Sequence, residues 1–295
     1  GQPYLAYKDN DNGDKASVTR FNGTSWEQVG AAGFSPGSIY DYDTQLALDS
    51  SDTPYVAYRD SANGGKASVM RFNGTSWEQV GAAGFFPGSA YSNLALDSSG
   101  TPYVAFSYWD YADGNKVSVM RFNGTSWEQV GAAIFLPDSG ADDISLALDS
   151  SDRPYVAFNY WDSTNGRKAS VMRFNGTRWE QVGAASFSPD SIYDISLDSS
   201  DRPYVAFNYW DNTNNSYKTG VMRFNGTSWE QVGGAGFSSD SVYNLNLALD
   251  SRGTPYVAFN YWDNTNNSYK ASVMRFVPDI AITPVYELLL LKKKQ

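Results

Sequence analysis

The chain has neither cysteine nor histidine in its 295 residues. Without cysteine there are no disulfides and no thiolate metal sites, and the redox compartment leaves no mark on the sequence. The missing histidine removes the commonest general base near neutral pH and the commonest metal ligand. Carboxylates, tyrosine and lysine remain for any chemistry. Charged residues are sparse, at 18%, and 22 Lys and Arg against 32 Asp and Glu leave a net charge of −10. A field of that sign repels phosphate backbones and anionic headgroups, which argues against nucleic acid as a partner. No run approaches the roughly 18 apolar residues that span a bilayer. The chain opens Gly1-Gln2-Pro3 without an initiator methionine, as expected of a processed protein or a fragment.

What is present is aromatic and repetitive. Aromatic residues make up 16% of the chain, which suits a β-rich fold. The string Pro-Tyr-Val-Ala-Phe or a close relative begins at Pro3, Pro54, Pro102, Pro154, Pro203 and Pro255, a period of about fifty residues. A second marker, Phe-Asn-Gly-Thr-Ser-Trp-Glu-Gln-Val-Gly, places Asn22, Asn73, Asn123, Asn175 and Asn225 in register with the first five copies. In the third unit four strands are predicted: Asn93 to Asp97, Tyr103 to Phe106, Lys116 to Phe122 and Ser126 to Val130. Asp97-Ser98-Ser99-Gly100 joins the first two. Asn123-Gly124 joins the last two, as a type I′ turn with both residues at positive φ. A connection of about fifteen residues then leads to the next unit. The fold class expected is all-β: a six-bladed β-propeller of four-stranded antiparallel blades over residues 1–276, followed by a non-repeat tail, 277–295, that closes the fold or is donated as a strand. Fifty residues with tight turns suit a blade better than one coil of an open β-solenoid.

Leu-Ala-Leu-Asp-Ser-Ser-Gly-Thr-Pro-Tyr-Val-Ala-Phe, followed by a Lys-x-Ser-Val-Met-Arg-Phe strand, resembles the blade pattern of NHL-type six-bladed propellers. The full unit resembles uncharacterised repeat proteins of bacterial surfaces. The resemblance implies the architecture and no particular activity.

The ends do not match. The chain opens in the second strand of blade one and leaves the repeat after the third strand of blade six. Beyond that, Ile280-Ala281-Ile282-Thr283 and Val285 to Leu291 flank Pro284, and either run could be a strand. Closure within the chain is one reading. Donation to a neighbouring copy through Ile280, Ile282, Val285, Tyr286, Leu288 and Leu290 is another, and it would build a head-to-tail filament. A remnant of a cell-surface sorting tail is a third.

Blades three to six carry a triplet in the loop after the second strand: Tyr108-Trp109-Asp110, Tyr160-Trp161-Asp162, Tyr209-Trp210-Asp211 and Tyr261-Trp262-Asp263. These tryptophans either fill the space between blades or present an aromatic plane beside a carboxylate, an arrangement that suits a sugar. Blades one and two have Tyr7-Lys8-Asp9 and Tyr58-Arg59-Asp60 instead. Asp9-Asn10-Asp11-Asn12-Gly13-Asp14 resembles the start of a calcium loop but lacks the distant bidentate Glu, so no metal site is expected. Asn22, Asn73, Asn123, Asn175, Asn225, Asn214 and Asn266 head glycosylation sequons, although the turn explains the first five. Arg71, Arg121, Arg173, Arg223 and Arg275 recur at one position and Glu78, Glu128, Glu180 and Glu230 at another, which reads as architecture. Because a catalytic centre must break the repeat, the sequence-based expectation is a non-catalytic, extracellular or cell-surface scaffold without cofactors, self-associating through its tail. The alternative is a multivalent glycan-binding lectin or adhesin that uses the triplets.

Overall fold

In the computed structural model the described residues are 2–40, 44–86, 92–110, 114–135, 141–163, 166–188, 190–213, 215–234, 236–238, 242–263, 266–277 and 280–288. They form antiparallel strands and two short 3-10 turns. No helix among them is long and apolar enough to cross a membrane. The strands group into six sheets, the blades of a β-propeller, as the fifty-residue period predicts. Blade one has three strands, Tyr4–Asp9, Lys15–Phe21 and Trp26–Gln28. Blade two follows the full pattern in sheet order, Gln45–Leu48, Pro54–Asp60, Lys66–Phe72 and Trp77–Gln79. Blade three repeats it with Ser92–Leu96, Pro102–Asp110, Gly114–Phe122 and Trp127–Gln129, and adds a short fifth strand, Ile134–Phe135, paired with Gly114–Phe122. Blade four is Asp142–Leu148, Pro154–Asp162, Gly166–Phe174 and Trp179–Gln181. Blade five is Ile192–Leu197, Pro203–Asp211, Ser216–Phe224 and Trp229–Gln231. Blade six is Val242–Leu249, Pro255–Asp263, Ser268–Val277 and Ile280–Leu288. The chain divides into two compact units, residues 1–148 with 176–179, and residues 149–175 with 180–295.

The second strand of each blade explains the architecture. Successive side chains point to opposite faces, and Tyr-Val-Ala-Phe is apolar on both. In the first unit Val56 and Tyr58 pack with Ala16, Val18 and Ile39, whereas Tyr55 and Ala57 pack with Val104 and Phe106. In the second unit Tyr204 and Ala206 of blade five meet Val242, Leu247 and Phe259 of blade six. A sheet buried on both faces needs a neighbour on each side, so blades stack face to face. Each fully buried Val or Phe stabilises this stack by about 1.5–3 kcal/mol.

A second device fastens the outer strands. The Trp77 indole N–H donates to the Val29 carbonyl at 2.8 Å, and Trp127 reaches Val80 at 3.0 Å. Trp179 reaches Val130 at 3.0 Å and Trp229 reaches Val182 at 2.9 Å. Trp77, Trp127 and Trp229 also stack on Phe34, Phe85 and Phe187 of the preceding crossing, with ring centroids 4.0–4.1 Å apart. The inner strands make rungs of their own: Asn93 donates to Gln45 and accepts from the Leu146 amide, and Asp194 accepts from the Leu247 amide.

Two expectations are corrected. The triplets lie in strands and not in loops, because the second and third strands stay paired to their ends, with Tyr108 opposite Lys116 and Trp210 opposite Tyr217. The Asn-Gly turn is not type I′, since Gly124 alone has positive φ while Asn123 does not. Instead, Asn123 Oδ1 accepts the Thr125 and Ser126 amides, which closes a longer turn. Of the readings offered for the tail, pairing within the chain is the one seen among the described residues. Ile280–Leu288 pairs with Ser268–Val277 of the same chain, running straight through Pro284, and register shifts at Val273/Met274 and Arg275/Val277 absorb the irregularity. An outer strand tolerates a proline there because its free edge needs no donor. The side chains of Ile280, Ile282, Val285, Tyr286 and Leu288, and Leu290 altogether, lie outside the described residues.

The repeated Arg, Glu and Asn form a polar box at the outer hairpin. Arg71 Nε donates to Glu78 at 2.6 Å, and Asn73 Nδ2 donates to the other carboxylate oxygen at 3.1 Å. Arg121, Asn123 and Glu128 repeat it. Glu27, Glu78, Glu128 and Glu230 are held below their ordinary range, first by the arginine hydrogen bond and next by the asparagine. A depressed carboxylate stabilises the fold above its unfolded value of about 4.3, and that contribution disappears as pH falls through the folded values. Urea midpoints should therefore stay level from pH 7 to about pH 5 and fall below that. A midpoint unchanged at pH 2 would show that the box contributes nothing.

Candidate functional site

The triplets gather at the ends of the second-to-third-strand hairpins, where alternation sorts their side chains. The tyrosines turn inward. Tyr108 meets Phe86 edge-on at 4.8 Å, and Tyr160, Tyr209 and Tyr261 lean on Phe158, Phe207 and Phe259 at 6.1–6.4 Å. The tryptophans turn outward. Trp109 is 59% exposed, Trp161 55% and Trp210 41%. Trp262 is half-buried. The space-filling reading therefore fails for the first three.

In the second unit the indoles acquire partners that the triplet pattern does not show. Tyr217 lies opposite Trp210 and meets it edge-on at 5.0 Å, and Tyr269 does the same to Trp262 at 4.9 Å. Tyr243 then packs against Tyr269 at 6.1 Å. Tyr217, Tyr243 and Tyr269 are all exposed. Their sequence signal was available: Asn-Ser-Tyr-Lys at 215–218 and 267–270 puts a tyrosine where blade four has Arg167.

Beneath the aromatics the base is rigid. Asn159 Nδ2 donates to the Ile192 carbonyl and its Oδ1 accepts the Ile192 amide, at 2.6 and 2.8 Å. Asn208 donates to the Val242 carbonyl and accepts from the Thr219 hydroxyl at 2.7 Å. Lys218, buried, donates to the Ser238 carbonyl at 2.9 Å. The carboxylates of the triplets hold turns. Asp211 accepts the Thr213 amide, and Asp263 accepts from Asn266 and pairs with Lys270 at 2.6 Å. They wall the site and keep the hairpins in shape. The side chains of Asp110 and Asp162 lie outside the described residues.

Blades one and two differ. Asp9 accepts from Ser17 at 2.7 Å and Asn12 at 2.9 Å, and the Ser17 hydrogen bond leads in holding its carboxyl below the usual range. Asp60 is fully buried and accepts from Ser68 and Asn63. The calcium-like string folds as a short 3-10 turn, Asn10–Asn12, closed by Gly13 in the left-handed region. Burial, then the Asp60 charge, pushes the Tyr58 phenol up. Arg59 takes the place of the indole and sits 4.1 Å over Tyr40. Among the sequon asparagines, Asn22, Asn73, Asn123, Asn175 and Asn225 donate to the box glutamates and Asn266 to Asp263. Asn214 lies outside the described residues.

The fold has known company. An ulvan lyase of polysaccharide lyase family PL25, solved bound to -[GlcA(1-4)Rha3S]-, superposes with a TM-score of 0.62 at 14% identity, covering 98% of this chain and 81% of that one. A thermostable family-43 glycoside hydrolase gives 0.51 at 11% identity, covering 83% and 92%. A protein of unknown function from Dyadobacter fermentans gives 0.53 at 12%, covering 85% and 80%. No family model and no curated protein matches the chain. These likenesses show the fold. The solved propellers it resembles include carbohydrate-processing enzymes, and the expected kinship with NHL-type repeats gives way to them.

They also overturn the expectation of a non-catalytic scaffold that assembles into fibres. That expectation rested on repetition excluding a unique centre, yet this fold houses lyase and hydrolase chemistry. The physical reason lies in what repeats. The buried frame is copied from blade to blade, while the inner-strand position changes through Gln45, Asn93, Ser145, Asp194 and Asn246, and the hairpin tips vary as well. A repeated frame leaves room for a site that is not repeated.

Proposed function

We propose that this protein is carbohydrate-active and processes a neutral polysaccharide, gripped on the aromatic hairpin ends of its second unit. One observation carries the reading: Trp161 and Trp210, at equivalent positions of adjacent blades, stand 55% and 41% exposed on rigid strand ends. Large apolar rings held in water at that cost mark a contact surface. Indole faces suit the C–H face of a pyranose, while Tyr217 and Tyr269 offer hydroxyls beside it.

The charge favours a neutral chain. At −10 the protein repels a uronate- or sulfate-bearing polymer, so its substrate differs in charge from the acidic ligand of the ulvan lyase. Eliminative cleavage needs a uronate, so hydrolysis is the chemistry that accompanies a neutral chain. A polymer too large to enter a cell is met outside it, which supports an extracellular location for a protein that acts on one.

The test is a panel of arabinan, xylan, cellulose and ulvan. Retention in affinity gels and release of reducing ends from the neutral polymers are expected, with neither from ulvan. Preference for ulvan, with formation of unsaturated uronate, would replace this reading with a lyase.

A further inference from the structure

The hairpin turns opposite the indoles frame a second kind of site, within the first unit. Two clefts lie there, of about 720 and 680 Å³. That size falls in the usual range of ligand sites, roughly 300–1,000 Å³. The larger is walled by Arg71 and Glu78 of blade two and by Asp97, Thr101, Tyr103 and Arg121 of blade three. The smaller is walled by Arg20 of blade one and by Asp49, Thr53, Tyr55 and Arg71 of blade two. Glu78 apart, the named residues of both clefts hold the same positions of the repeat, so one Arg-Asp-Thr-Tyr-Arg constellation occurs twice.

Its carboxylates are half used. Asp97 Oδ1 accepts the Ser99 and Thr101 amides at 2.9 and 2.8 Å, and Asp49 Oδ1 accepts the Ser51 and Thr53 amides at 2.8 and 2.9 Å. Among the described residues nothing donates to the Oδ2 of either. The second unit treats the same atom differently. Asp149 Oδ1 takes the Ser151 and Arg153 amides in the same way, and its Oδ2 takes Arg153 Nε at 2.8 Å. Asp198 Oδ2 takes Arg202 Nε at 2.7 Å. Arg153 and Arg202 stand where the first unit has Thr53 and Thr101. That departure caps the acid in blades four and five, Arg252 reaches Asp250 Oδ2 at 3.2 Å in blade six, and the acid stays open to a cleft in blades two and three.

We propose that these two clefts are binding sites for a neutral, hydroxyl-rich ligand, one short saccharide in each. The larger cleft is lined by two cations, Arg71 and Arg121, and two anions, Glu78 and Asp97, and the smaller by Arg20 and Arg71 with Asp49 and Asp52, so no ion is selected by the net charge of the lining. What the walls offer is an acceptor oxygen and guanidinium donors together. A vicinal diol satisfies both at once, donating to the carboxylate and accepting from the arginine. The proposal shares with the reading above only the class of ligand, and the two sites are separable by mutation.

The experiment is calorimetric titration of the whole chain with xylotriose, cellotriose and arabinotriose. In the Thr53→Arg/Thr101→Arg chain, which borrows the second unit's own residues at turns of the same hydrogen-bond pattern, two saccharide sites are expected to vanish or weaken at least tenfold. Its melting temperature should not fall. The Asp49→Asn/Asp97→Asn chain keeps Oδ1 for the turn and puts a donor in place of Oδ2, and the same loss is expected. Trp161→Ala/Trp210→Ala should retain these two sites. An unaltered isotherm in both cleft variants overturns the proposal, as does a wild-type chain that binds none of the three sugars saturably. Loss in the tryptophan variant alone would sustain the aromatic face and remove the clefts.

Discussion

Replacing Trp161 and Trp210 together by alanine is expected to weaken retention on a neutral polysaccharide by about a hundredfold, and either alone by about tenfold. Covering roughly 60 Å² of an indole face at about 25 cal/mol per Å² yields ~1.5 kcal/mol, which is a factor of about ten per ring. The rings stand apart from the buried core, so stability should stay within about 0.5 kcal/mol of the parent. Affinity electrophoresis gives the first quantity and urea denaturation the second. Phenylalanine at the same positions keeps an aromatic face and should recover part of the loss. If the double alanine chain migrates like the parent in every neutral polymer, the aromatic face is not the substrate grip.

Replacing Trp127 by alanine should lower the stability of the first unit by about 3 kcal/mol. The indole packs 4.1 Å from Phe85, and its N–H satisfies the Val80 carbonyl. Truncation removes the packing and strands an acceptor at the blade interface. Trp26 is the natural control. It holds the equivalent place in blade one, is 52% exposed, and no bond from its indole N–H occurs among the described residues. Trp26→Ala should therefore cost no more than about 0.5 kcal/mol. Equal effects at the two positions would mean that the tryptophan acts within its own blade and not on the one before.

Much of the frame was legible in the sequence because burial on both faces leaves no choice of residue. Pro-Tyr-Val-Ala-Phe at a fifty-residue period can only be a strand with neighbours on either side. The Asp-Ser-Ser-Gly turns were equally open to reading, since Asp97 ties its own loop. The strand ends were not. Tyr, Trp, Asp, Asn and Lys at 108–116 have the composition of a loop, and only cross-strand pairing extends the hairpin through them. Asn-Gly misled for a related reason: the asparagine side chain, reaching Thr125 and Ser126, displaced the tight turn that its backbone allows. Whether Trp161 lay inside or outside depended on the phase of a strand whose end was unknown. The clefts were legible only as Thr against Arg at one turn position, a difference with no meaning until the uncapped carboxylate beside it is seen.

The direction of the tryptophan contacts bears on how such a chain is made. In the four described cases the indole reaches a carbonyl 47 to 49 residues earlier in the chain. For this contact, a blade emerging from the ribosome finds its anchor already synthesised, even though its other face still awaits the next blade. Near-identical units run the risk of pairing with the wrong sibling. A fastening that looks only backward lets each arrival dock on the most recent one before a rival has been translated.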